Sequence, residues 1–232
     1  MAIPDASNEE LTKRALRGAL KFQIALAVMI FAPALTLDYW QGWLFWLVFF
    51  ACIWVNTVYF LRHDPALIVR RMKAGPIAEK EPKQKLIQLF AVIFMCAMIV
   101  LSALDHLFGW SEVSWPVVLF GDALVILGYV IIFVVFRENT FAASIIQVDA
   151  GQKVVSSGPY AVVRHPMYAG AMPMIFGIPL ALGSWWGMLP AGLLAGVIIW
   201  RLLDEENYLA RNLTGYADYQ RKVRRRLVPG VW

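Results

Sequence analysis

Apolar residues run along most of this chain in long blocks with short polar breaks, and the block lengths predict membrane helices. The first block covers 18–37, close to the ~20 residues needed to cross a hydrocarbon core. Pro33 is placed to kink it. Asp38-Tyr39-Trp40-Gln41-Gly42 then forms a turn with interfacial aromatics, and 43–61 is the second block. A third runs 86–104 and a fourth 116–136. Two further blocks, 167–183 and 185–203, are divided by Gly183-Ser184-Trp185-Trp186-Gly187. They form a hairpin whose glycines and alanines permit close helix contact. The pattern predicts an all-α integral membrane protein with about six transmembrane helices, or five full ones if the short 167–183 block is tilted or partial.

The polar stretches predict the remaining elements. Residues 1–17 are a polar lead ending in Lys13, Arg14 and Arg17. The segment 65–72 has apolar and basic faces, as an interfacial helix has. Residues 141–148 read as a helical or extended piece near the surface, and the chain stays helical from Asp204 to about Val223. The first block is too long for a signal-peptide core and has no clear small-residue cleavage site, so it is expected to remain in the membrane.

Composition agrees with a membrane protein of one compact domain. Only 16% of residues are charged, where soluble domains carry roughly 25%. The net charge of +5 raises the question of nucleic acid, and its placement answers it. All 21 Lys and Arg fall in the lead, at Lys21, in the connections 62–85 and 137–164, or in the tail from Arg201. The intervening loops 38–42, 105–115 and 183–187 have none. The positive-inside rule puts both termini and both long connections in the cytoplasm, most simply of the inner cell membrane. Topology and anionic lipid then account for the basic excess, without nucleic acid. Cys52 and Cys96 sit inside apolar blocks, and the three histidines have no metal-ligand spacing.

Two constellations carry candidate chemistry. One is Ser157-Gly158-Pro159-Tyr160, followed by Arg164-His165-Pro166-Met167-Tyr168-Ala169-Gly170, at the mouth of an apolar block. An ordinary interfacial loop uses the same residue types, with Arg164 on lipid phosphate, the tyrosines in an aromatic belt and Pro166 opening a helix. The other is Arg201-Leu202-Leu203-Asp204-Glu205-Glu206-Asn207-Tyr208. On a helix, Arg201 faces Glu205 and Asp204 faces Tyr208. Its plain reading is a helix exit with Arg201 and Glu205 as a weak surface pair.

Together the two stretches resemble the signature of the isoprenylcysteine carboxyl methyltransferase family. Val154-Val155-Ser156 before the first motif, Asn139-Thr140-Phe141, Gln147, and Leu209, Gly215, Tyr216 and Tyr219 after Glu205-Glu206 fit as well, and Asp64-Pro65-Ala66-Leu67 before Arg70-Arg71 fits more weakly. The similarity covers roughly 137–229 and implies a four-span scaffold over 1–136 with a cofactor-binding and catalytic region over 137–232. It implies an S-adenosylmethionine-dependent methyltransferase with no Rossmann domain, acting on a lipophilic acceptor, with the C-terminal helix closing the cofactor pocket. Gln147, Tyr160, His165, Pro166, Met167, Tyr168 and Glu205 would line the cofactor, with Arg164 in the same motif. Gln152, Val154 and Val155 would add backbone and apolar contacts. Arg201 would face the substrate.

Residue chemistry is consistent with that assignment. Aromatic faces such as Tyr160 and Tyr168 attract a sulfonium. Glu205 can pair with the cofactor's ammonium or ribose hydroxyls. A carboxylate acceptor needs a clamp such as Arg201 and no strong base. An amine acceptor needs a base, for which Glu206 and His165 are candidates. The rival enzyme reading is an NADPH-dependent sterol-type reductase, with Arg221, Lys222 and Arg224 to Arg226 receiving a 2′-phosphate. A small transporter or assembly factor is the non-enzymatic alternative, and it calls for ionisable residues deep in the spans, which are almost absent between Gly18 and Phe136.

Overall fold

The computed structural model describes residues 5–79, 81–148 and 151–232, with the side chains of 5–8 excepted. The start of the polar lead, Lys80 of the basic connection, and residues 149–150 lie outside the described residues. The helices are α1 (Asp5–Ala34), α2 (Trp40–His63), α3 (Pro65–Met72), α4 (Pro82–Phe108), α5 (Trp115–Glu138), α6 (Pro166–Ala181), α7 (Met188–Asn212) and α8 (Tyr216–Lys222), with a 3-10 turn at Gly158–Ala161. No strand occurs among the described residues. The chain is an all-α membrane protein.

Four helices, α1, α2, α4 and α5, are long and apolar enough to cross a membrane. The fifth and sixth blocks make a shorter hairpin. α6 has 16 residues, about 24 Å of helix against a hydrocarbon core of about 30 Å. α7 is 25 residues long, but its second half is charged.

Element ends follow local chemistry. Pro33 lies inside α1, one residue before its last, Ala34. A proline withholds the N–H that would continue the ladder, and Leu35 then turns left-handed at φ 51°. The polar lead joins α1 as helix from Asp5 onward. α3 forms where expected. Pro65 opens it and the Asp64 carboxylate accepts the Leu67 N–H at 3.0 Å. The helix expected to run to Val223 breaks after Asn212, and Gly215 at φ 85° restarts it as α8. Residues 141–148 form irregular turns rather than a helix or strand.

The core joins α1, α2, α4, α5, α6 and α7 through residues such as Ile30, Phe45, Met98, Val125, Ile178 and Leu194. The closest helix pair is α5 with α6. A Cβ on Gly121 would fall 2.3 Å from Ala181 N, and one on Gly128 would fall 2.5 Å from Gly170 O. Lipid tails give helices no hydrophobic reason to associate, so backbone contact of this kind supplies the packing. It fixes the first residues of α6 beside the last turns of α5.

The two ends of the bundle differ. At one end the loops without Lys or Arg are tied together. Tyr39 Oη donates to Leu182 O at 2.6 Å, and the Asp105 carboxylate accepts from Ser111 Oγ at 2.6 Å and from Ser184 Oγ. The basic end holds α3, the 139–165 connection, α8 and the tail. These elements enclose the candidate site.

Candidate cofactor site

The Ser157–Ala161 turn sets the first wall. Gly158 has φ 54°, and a Cβ there would lie 2.9 Å from the Glu138 carboxyl carbon, so glycine is required. The Ser157 hydroxyl donates to Glu138. Tyr160 is held by its own two ends: its hydroxyl accepts from Asn139 Nδ2 at 2.9 Å, and its carbonyl accepts from Tyr219 Oη at 2.7 Å. Burial first of all pushes the Tyr160 phenol up to about 12, so it stays neutral.

The Arg-His pair precedes α6, with Pro166 at the helix start. Its backbone bonds to the tail. Arg164 N–H donates to Arg225 O at 2.9 Å and His165 N–H to Arg226 O at 3.0 Å. Side chains repeat the connection. The buried Glu206 accepts from Arg164 Nε at 2.6 Å and Arg226 Nε at 2.9 Å, and His165 Nε2 lies 3.2 Å away. Burial would raise the Glu206 carboxyl. The hydrogen bonds from His165, Arg164 and Arg226 outweigh it and hold the pKa down to about 2. Arg226 also stacks over Trp232 at 5.2 Å.

A second cluster centres on Arg201, which is 6% exposed. Its guanidinium donates to Glu79 Oε1 at 2.8 Å, Gln84 Oε1 at 3.1 Å, Ser144 O at 3.0 Å and Tyr168 Oη at 3.1 Å. Tyr168 Oη in turn donates to Glu205 Oε2 at 2.5 Å. The surface pair of Arg201 with Glu205 does not form. Arg201 points instead at the connection before α4, where Glu79 is buried. Asp204, expected to face Tyr208, is taken by Lys83 and Gln84.

Between these clusters lies a cavity with about 790 Å³ of non-atom space, including its mouth. Gln147, Gln152, Val154, Val155, Tyr160, Arg164, His165, Pro166, Met167, Tyr168 and Glu205 all line it. Arg201 and Glu206 do not. Each stands behind the wall and touches it through Tyr168 or through Arg164 and His165. Tyr216 and Tyr219 close the far side with Leu209 and Leu213. Among the described residues the buried Tyr216 hydroxyl has no partner, and burial raises its pKa strongly. Among the described residues no group of three His, Cys, Asp or Glu is placed to hold a metal.

Residues 116–214 match the phospholipid methyltransferase family. This region of the chain is similar to that family's domain. The family includes the isoprenylcysteine carboxyl methyltransferases, so the resemblance seen in the motifs stands. The matched region runs from α5 to just past α7 and holds every cavity-lining residue except Tyr216 and Tyr219. The match suggests a membrane methyltransferase. No curated protein matches it.

Sequence reading passed over Glu79, Gln84 and the Ser144 carbonyl. Glu79 is a single acid in a basic connection, and no spacing links it to Arg201, 122 residues on. Arg226 did carry a signal, in the Arg224-Arg225-Arg226 run, but one taken for phosphate binding.

Proposed function

We propose that the chain transfers a methyl group from S-adenosylmethionine to a lipophilic acceptor at the cytoplasmic membrane face. One observation carries the reading: in and beside the region similar to phospholipid methyltransferases, one cavity gathers the Tyr160 and Tyr168 rings, the Glu205 carboxylate and the unpartnered Tyr216 hydroxyl. Aromatic faces suit a sulfonium. Glu205 offers an acceptor to an ammonium or ribose hydroxyls, and Tyr216 has a hydrogen bond to give. Arg164, which lines the cavity, presents a guanidinium to a carboxylate. These residues match the parts of a zwitterionic amino acid joined to a nucleoside. When bound, the cofactor supplies an electrophilic methyl carbon: the acceptor's lone pair forms the new bond while the carbon–sulfur pair stays on sulfur and the positive charge there is lost.

The chain's own residues orient and exclude water, since in-line displacement calls for positioning and electrostatics more than a covalent nucleophile. Glu206 is a positioning residue in this reading. Two arginines and a histidine engage three of its four lone-pair sites and hold its pKa down to about 2, which makes it a poor base for an acceptor's proton. Arg201 braces Tyr168 and through it Glu205. The basic loops of the cavity end support the cytoplasmic placement. The reductase alternative gains no observation: Arg226 is paired with Glu206 and Arg221 with Asp218.

Calorimetry on the detergent-solubilised protein tests the proposal. S-adenosylmethionine should bind and NADPH should not; the reverse would sink methyl transfer. Glu205→Ala should abolish cofactor binding with little change in thermal stability.

A further inference from the structure

The end of α8 and the tail beyond it carry charge that the reading above leaves unused. Five of the six residues 221–226 are Lys or Arg, and no Asp or Glu follows Asp218. Arg226 is engaged by Glu206, and Arg221 pairs with Asp218. Lys222, Arg224 and Arg225 are exposed, and among the described residues none of the three has a carboxylate partner. A run of uncompensated cations at the basic end of a membrane bundle calls for an anionic surface.

An apolar loop follows the cations directly. Leu227 N–H and Val228 N–H both donate to Trp232 O at 2.9 Å, and Gly230 turns left-handed at φ 78°, so 227–232 folds back on itself. Leu227 is buried against Tyr168 and Leu202, with Met172, Ile198 and Trp232 packed around them. Met172 and Ile198 belong to the apolar stretches of α6 and α7, so the loop lies where those helices enter the membrane. The same stretch of α7 exposes Ile199, Trp200 and Leu203. The loop itself leaves Val231 74% and Val228 49% exposed, and Arg225 Nη1 reaches Val231 O at 3.5 Å. Exposed arginines beside exposed apolar residues are what a segment in the headgroup layer of a bilayer presents.

We propose that residues 222–232 dock on the headgroups of anionic phospholipids at the membrane surface, and that this docking holds the wall of the cofactor cavity in place. The second half rests on the methyl-transfer reading; the docking stands on its own geometry. Backbone makes the link. Arg164 N–H and His165 N–H donate to the carbonyls of Arg225 and Arg226, and both Arg164 and His165 line the cavity. Arg226 adds its side-chain tie to Glu206, the neighbour of the cavity-lining Glu205. A lipid surface that binds the attached tail better than a released one shifts the equilibrium toward the attached form, and with it the intact wall. Each cation near such a surface adds about fivefold in affinity.

Full-length protein in lipid nanodiscs tests both halves, with discs of phosphatidylcholine compared with discs of equal phosphatidylcholine and phosphatidylglycerol. Hydrogen exchange of residues 223–232, and of the Arg164 and His165 amides, reads attachment of the tail. Exchange should slow in the anionic discs, and added salt should reverse the slowing. The double variant Arg224→Gln/Arg225→Gln should lose about tenfold or more of that protection and match the wild type in neutral discs. Val231→Asn keeps every charge and should lose a smaller part of it. S-adenosylmethionine should bind the wild type about fivefold more tightly in anionic discs, and the double variant equally in both. Equal exchange of the wild type in the two discs, or an undiminished lipid response in the double variant, would overturn the docking. Wild-type exchange in Val231→Asn would do the same for the apolar contact, and serves if the double variant does not fold. Slowed exchange with unchanged cofactor affinity would overturn the link to the cavity. Slowing by an oligonucleotide added to neutral discs, with none from phosphatidylglycerol, would assign the tail to a soluble polyanion instead. A tail protected by anionic lipid in a protein that binds no S-adenosylmethionine would overturn methyl transfer and leave the docking intact.

Discussion

Two buried ionic clusters flank the charged turn of α7, and they are built in opposite senses. One is an anion held by two arginines and a histidine ring: Glu206 with Arg164, Arg226 and His165. The other is a cation surrounded by acceptors: Arg201 with Glu79, Gln84, Ser144 O and the Tyr168 hydroxyl. The first ties α7 to the tail and to the turn before α6. The second ties it to α4 and the connection that precedes α4. Glu205 sits between them and faces the cavity. The clusters thus act as clamps on the two sides of a site whose own carboxylate is spared. Desolvation makes such clamps costly to break, because removing one member strands its partners.

The largest effect is expected at the anion-centred clamp. Glu206→Ala leaves the buried Arg164 and the half-buried Arg226 without their carboxylate and should destabilise the fold by about 3–5 kcal/mol. Thermal melting in detergent reads the loss, and faster proteolysis beyond Lys222 reads release of the tail. Stability within error of the wild type would show that the cluster is no clamp.

Glu79→Gln tests the cation-centred clamp and should cost less, about 1.5–3 kcal/mol, because the amide keeps one hydrogen bond to Arg201. It should also weaken S-adenosylmethionine binding, since Arg201 positions Tyr168 and Glu205. Binding at wild-type strength would separate this cluster from the cavity.

Acidity distinguishes the two. The Glu206 carboxyl titrates at about 2 in the folded protein against an ordinary 4.5. A depressed carboxyl stabilises the fold fully above the unfolded value, and that contribution drains as pH falls from about 4.5 toward 2. Melting temperature should drop through this window in the wild type, and less steeply in Glu206→Gln. Parallel slopes would refute the assignment.

The smallest effect belongs to the exposed fringe. Lys83 pairs with Asp204 near the second cluster while more than half exposed. Lys83→Ala should change stability by no more than about 1 kcal/mol, and added salt should erase even that. A larger loss would extend the clamp to the surface.

Much of this was legible in the residues themselves. Apolar block length placed α1, α2, α4 and α5, because a helix in lipid has to satisfy its own backbone over a fixed thickness. Pro65 after Asp64 marked the start of α3, a local signal. The Arg164–Tyr168 motif and Glu205 were found because their types and spacing are unusual at a helix mouth, and all the cofactor-lining candidates taken from them border one cavity. Element ends were less legible. α1 ends one residue after Pro33, and the helix through Asp204 stops at Asn212, with Gly215 opening the next one.

What the sequence determined by itself was therefore local or periodic: an all-helical membrane chain, its basic loops, and the residue types of one pocket. Tertiary structure decided the partners. Arg201 chose Glu79 over Glu205, and Glu206 drew Arg226 from the tail. Charge pairing across tens of residues depends on which helix ends meet. Here that is fixed by backbone contact between α5 and α6 at glycines 121, 128, 170 and 177, a geometry no local spacing encodes.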